Sequence, residues 1–251
     1  MSTPPASLSP ISAEPAPARR MPSWQRILGT FYAPDATFAD IAREPHYMLC
    51  LGLQIVIGTV STWFIVHHIG SLNIALRAIQ QNPAAQSLSA QQIQAQAAMS
   101  AKFIHFSPLF AVFVAPVVVL VVAACMLGAA NFGLGLQTKF KQMFSLTAHA
   151  MLPLSIAYLL ALPIVFTASH PGHLDSQNLI GSNLGYFLSS TAPHWLQVFG
   201  QRMDLFSFWV IGLLALGISK AGPRVKYGSA LTAVVLLWLV YVLAVTGIAA
   251  I

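Results

Sequence analysis

The sequence predicts an all-α integral membrane protein with five transmembrane helices, a cytoplasmic N-terminus and a periplasmic C-terminus. Three observations carry that expectation. First, the 251 residues are 57% hydrophobic and only 7% charged, with a mean hydropathy of +0.72. Soluble domains carry about 25% charged residues, so water would not solvate this surface, whereas lipid does. Second, five apolar runs recur along the chain with no Asp, Glu, Lys or Arg inside them. Third, nine Lys and Arg precede the first run or lie in the second and fourth connections, and three lie in the first and third. The positive-inside rule places the richer side in the cytoplasm. Connection length agrees, because the two basic connections are short and the other two are long.

Residues 1–20 are rich in Pro, Ala and Ser. They have no apolar core-forming pattern and read as a disordered tail. They lack the continuous apolar stretch of a signal peptide. Residues 21–46 read as two short amphipathic helices on the membrane surface. Trp24, Ile27, Leu28 and Phe31 share one helical face, and Asp35 is placed to cap the second helix. Phe31, Phe38 and Ile41 are expected to insert at the cytoplasmic interface.

The five-span domain then occupies residues 47–251. The first span is 47–66, about the length that crosses a 30 Å hydrocarbon layer. Residues 70–106 are rich in Gln and Ala and form an external helical segment. Ser89 followed by Gln92 is a capping-box signature within it. The second span, 108–130, contains Pro116, where a kink is expected. The third, 144–168, contains Pro153 and Pro163, which predict a bent or interrupted helix. Residues 169–204 form the second external segment, with Tyr186 and Trp195 at headgroup depth. The fourth span, 205–219, is short, and Arg202 and Lys220 must snorkel to serve it. The fifth, 229–251, carries no charge.

Between the second and third spans, residues 128–141 form a tight hairpin. Asn131 is expected to end the second span in a left-handed conformation, with Gly133 and Gly135 reversing the chain.

The search for chemistry returns little. All six acids lie in connections or at span ends, and an intramembrane acid is the usual mark of ion coupling. Metalloprotease and nucleophile-elbow motifs are absent from the sequence. Gly133-Leu134-Gly135 lacks the lysine and hydroxyl of a phosphate loop. Cys50 and Cys125 lie in apolar runs and read as packing thiols. His149 is the one titratable residue within a span, expected to be neutral and bonded to a neighbouring helix. Six histidines fall at the outer side, and His170, His173 and Asp175 have a spacing that can present two nitrogens and an oxygen to a metal. Ordinary interfacial placement and a response to external acidity are the other readings of those histidines. No catalytic, cofactor-binding or metal residue is assigned, and no cofactor. The net charge of +6 is accounted for by topology and lipid headgroups, with no pattern for nucleic acid.

Four stretches also carry a family resemblance. They are FYAPDATFADIAREP (31–45), GAANF (128–132), FSLTAHAMLP (144–153) and DLFSFW (204–209). In this order and spacing they resemble the bacterial branch of the Yip family, the Ypt/Rab-interacting membrane proteins. The resemblance runs from about Met21 to the end. It implies five spans and a non-enzymatic membrane role. The acidic D-L-Y-G-P-type motif of the eukaryotic branch is not present in that form, so no residue inherits a Rab contact. The expected function is a bacterial inner-membrane scaffold or interaction protein. Its partners would be membrane lipid and a protein of unknown identity, with homo-oligomerisation as an option. The alternative is a transporter or channel component for a neutral or hydrophobic solute.

Overall fold

The computed structural model describes residues 20–82, 85, 87–189 and 192–250. The expected disordered tail falls almost entirely outside them. All regular structure among the described residues is helical, apart from one isolated bridge between Asn183 and Asp204. The elements are α1 (Ser23–Tyr32), α2 (Pro34–Arg43), α3 (Met48–Ile69), α4 (Ser71–Gln80), α5 (Ala90–His105), α6 (Ser107–Gly128), α7 (Phe140–Ala150), α8 (Leu152–Thr167), α9 (His194–Arg202), α10 (Leu205–Lys220) and α11 (Tyr227–Ile248).

Four helical stretches are long and apolar enough to cross a membrane: Met48–Ile69, Ser107–Gly133, Phe140–Thr167 and Tyr227–Ile248. The expected fourth span is the shorter apolar helix Leu205–Lys220. Its 16 residues rise only about 24 Å. The helices close most of their own backbone hydrogen bonds, which a hydrocarbon surround requires. The outward faces of α6 and α11 are apolar, with Phe113, Val117, Val240 and Leu243 all exposed.

The core sits where α7 and α10 pack on each other. On α7 every residue from Met143 to Ala150 is buried, and α10 buries Phe206, Val210, Ile211, Leu213, Leu214, Ala215, Gly217 and Ile218. Around this pair stand α3, α6, α8 and α11. The α1–α2 pair closes one end, against the start of α7 and the end of α10. At the other end lie α4, α5, two short 3-10 turns and α9.

The expected third span begins four residues early, at Phe140, and is broken at Met151. Pro153 accounts for the break, because it brings no N–H and clashes with the preceding turn. Helix α6, in contrast, runs through Pro116 without interruption. The expected face of α1 is divided. Phe31 packs edge-on against Trp209 of α10, with ring centroids 5.7 Å apart. Trp24 and Leu28 point outward instead. Nor do Phe38 and Ile41 insert into lipid: both are fully buried in the protein core. Asp35 is no cap either, since Pro34 opens α2 and Asp35 pairs with Lys220 of α10. Cys50 is buried as expected, whereas Cys125 is exposed on α6.

Candidate functional site

The best-defined polar construction in the molecule joins α1 and α2 to the bundle. Arg26 and Asp40 are both almost fully buried. Arg26 Nε donates to Asp40 Oδ2 at 2.7 Å, and its second terminal nitrogen lies 2.7 Å from the same oxygen. Its other terminal nitrogen donates to Glu44 O at 2.9 Å. A buried charge is tolerated only when paired and hydrogen-bonded in this way. Beside it α1 carries Gly29 and Thr30, both buried. The small face lets α2 approach until Thr37 occupies the space where a Gly29 side chain would stand. Gln142 Nε2 of α7 donates to Ala42 O at 2.8 Å, fastening the end of α2 to the hub. On α10, Gly217 lies so close to Phe38 and Leu146 that a Cβ there would sit 3.1 Å from the Phe38 ring.

A second polar group lies inside the bundle, around the break between α7 and α8. Gln54 Nε2 of α3 donates to Ala148 O at 3.0 Å, and Cys50 Sγ lies 3.4 Å from the same carbonyl. Neighbouring-helix donors thus serve the backbone just before Pro153. His149 is buried, and its Nδ1 lies 2.8 Å from Ser145 O. A carbonyl can only accept, so Nδ1 carries the proton there. The bond stays within α7; a neighbouring helix is not its partner.

The hairpin is held by a side chain. Asn131 Nδ2 donates to Thr138 O at 3.0 Å, and Thr138 N donates to Asn131 Oδ1 at 2.9 Å. The Asn131 amide therefore spans the turn as a backbone strand would. Asn131 is not left-handed, because no described residue other than glycine has positive φ. It lies in the π turn Ala129–Gly133 that extends α6. Gly135, at φ 67°, is the residue that needs to be glycine, while Gly133 needs no such freedom.

At the opposite end the histidines do not assemble a metal set. The His170 and His173 rings are 5.8 Å apart. Asp175 instead accepts from Gln177 N and Asn178 Nδ2, capping its own turn. Among the described residues no three His, Cys, Asp or Glu side chains are grouped to hold a metal. His67 stacks on Trp63, and His68 packs edge-on to Phe166 at 4.5 Å.

The sequence reading missed Arg26 and Gln54. Arg26 counted only as one cytoplasmic charge. The available signal was the pair of small residues one turn on, Gly29 and Thr30, which marks a face meant for close packing. Gln54 bears no formal charge, and its signal is that an amide in the middle of a span needs a partner.

The family model for the Yip1 domain matches residues 28–249, from within α1 to the end of α11. No curated protein and no solved structure matches the chain. A match over most of the length, on a bundle with four membrane-length apolar helices, means that the chain belongs to the Yip family of multi-pass membrane proteins.

Proposed function

We propose that this protein is a non-enzymatic scaffold of the bacterial inner membrane. In this reading it crosses the membrane five times, with the N-terminus cytoplasmic and the C-terminus periplasmic. α10 is the fourth crossing. Lys220 at one end and Arg202 just before the other extend its reach by snorkelling. The distribution of Lys and Arg supports the orientation.

The observation that carries the scaffold role is the α1–α2 platform. It is rigidly tied to α7 and α10, yet α1 turns Trp24, Leu28 and Tyr32 outward, at 61%, 52% and 67% exposure. Four-residue spacing makes these one stripe at the cytoplasmic interface. That is the footprint on which a partner helix docks. Rigid support and an exposed stripe together describe a presenting surface.

Detergent extraction followed by pull-down and mass spectrometry tests this. One stoichiometric protein partner is expected. The triple variant W24A/L28A/Y32A should lose it without loss of folded yield. A wild-type protein that recovers no stoichiometric partner, yet moves a solute across liposomes, would establish the second reading. That reading is a transport component for a neutral or hydrophobic solute. It takes its support from the break at Met151, beside the buried groups of Gln54, Cys50 and His149.

A further inference from the structure

The fold brings two basic turns together. One joins α6 to α7 and carries Lys139, with Lys141 on the first turn of α7. The other joins α10 to α11 and carries Arg224 and Lys226. The turns pack through Leu136 of the first, whose side chain occupies the space a Gly222 side chain would need in the second. All four cationic residues are exposed.

Among the described residues their charge has no acidic counterpart. At this end of the bundle the described residues include eight cations and three acids. Asp35 is taken by Lys220, Asp40 by Arg26 and Arg43, and Glu44 by Arg20. No further acid among the described residues at this end remains for the two turns. Asp175 and Asp204 lie at the opposite end, bonded to Asn178 and Ser207.

The same turns carry exposed aromatic rings. Phe132 is 94% exposed, and Phe140 and Tyr227 are about half exposed. Lys139 and Lys226 immediately precede Phe140 and Tyr227, the first residues of α7 and α11. Both stretches that follow are long and apolar enough to cross a membrane. A cation followed by an aromatic at the mouth of an apolar helix sits at headgroup depth, ring in the interface and charge among phosphates.

We propose that the paired turns 129–141 and 221–227 form a binding surface for anionic phospholipid headgroups. Lys139, Lys141, Arg224 and Lys226 neutralise the phosphates, and Phe132, Phe140 and Tyr227 hold the surface at the interface. The proposal rests on the membrane placement of the chain and not on the scaffold role. A protein partner can be missing while the lipid preference remains, and the reverse also holds.

The test uses full-length protein purified in detergent and mixed with equal phosphatidylglycerol and phosphatidylcholine. Retained lipid is counted by native mass spectrometry. Wild type is expected to retain phosphatidylglycerol about tenfold over phosphatidylcholine, as several interfacial cations acting together imply. K139Q/K141Q/R224Q/K226Q should lose that preference, while R77Q/K102Q at the other end should keep it. Elution profile and far-ultraviolet helicity in phosphatidylcholine micelles establish that the quadruple variant is folded. If it is not, K139Q/K141Q and R224Q/K226Q separately should each give an intermediate preference. Equal retention of the two lipids by wild type overturns the proposal, as does an unchanged preference in the folded quadruple variant. Displacement of phosphatidylglycerol by millimolar inorganic phosphate assigns the surface to free anions and overturns it too. So does displacement by an acidic peptide, which assigns it to protein.

Discussion

Two helix pairs flank the bundle, α1–α2 at one end and α4–α5 at the other. Both are short, amphipathic and joined to α3. They are held in different ways. The first pair buries Phe38, Ile41, Thr37 and the Arg26–Asp40 ion pair, and it packs on α7 and α10. The second pair packs chiefly on itself, with its buried positions at Ala75 and Ala97. Its polar ties include a short one to the end of α3, Asn73 Nδ2 to Ile69 O at 2.8 Å, and a long one across the loops, Gln81 Nε2 to Asp175 Oδ2 at 3.4 Å. The difference teaches that an apolar stripe does not identify what covers it. Large side chains and a buried charge weld one pair to the hub, whereas alanine faces let the other two helices lie close to each other and leave Met99 and Phe103 exposed.

The largest effect should come from the ion pair. Asp40→Ala leaves Arg26 buried without its partner and should cost about 3–5 kcal/mol. Thermal unfolding in detergent measures the loss, and protease access to residues 22–45 should rise with it. The double variant R26M/D40L should recover most of the stability. If D40A unfolds like wild type, the first pair is held no more firmly than the second.

The next effect concerns close approach. Gly217→Ala introduces a Cβ 3.1 Å from the Phe38 ring and 3.3 Å from Leu146, tighter than ordinary contact. Overpacking of that kind costs about 1–3 kcal/mol. Pairing it with Phe38→Leu should return part of the loss, since the smaller side chain gives way. An additive double variant would mean that α2 and α10 are not coupled there.

The smallest effect belongs to the second pair. Ser89 Oγ accepts from Gln92 N, and Gln92 Oε1 accepts from Ser89 N at 2.8 Å, a complete capping box. Ser89→Ala should cost about 1 kcal/mol locally. Hydrogen exchange of α5 should quicken while the global unfolding temperature stays put. A shift in the global value would show that α4–α5 is bound into the cooperative unit after all.

Much of this was legible beforehand. Apolar run length located α3, α6 and α11 to within a few residues, because in hydrocarbon only a helix satisfies the backbone within a single segment. The Ser89–Gln92 box was readable because both partners lie within one turn. What escaped were contacts that depend on distant residues. Asp35 looked like a cap because the local pattern allows one, but Lys220, far along the chain, is what it meets. Phe38 and Ile41 looked lipid-facing because nothing nearby reveals that α7 and α10 will cover them. Asn131 looked like a terminator because its partner Thr138 lies across a turn whose shape is set by Gly135. The platform's two charges were visible individually, but not their union.

The unbroken burial of α7 from Met143 to Ala150 has a consequence for how the protein is made. Its inner half carries Ser145, Thr147 and His149 among its apolar residues, a poor sequence to leave facing acyl chains. α6 precedes it and can shield one side at once, through the clamped turn. α10, which covers the other side, follows in the chain only after α8 and α9. Insertion in chain order therefore passes through a stage in which the hub is half-dressed. During that interval the polar side of α7 must be held by the insertion machinery or by α1–α2, which is already complete and already carries the side chains that fit it.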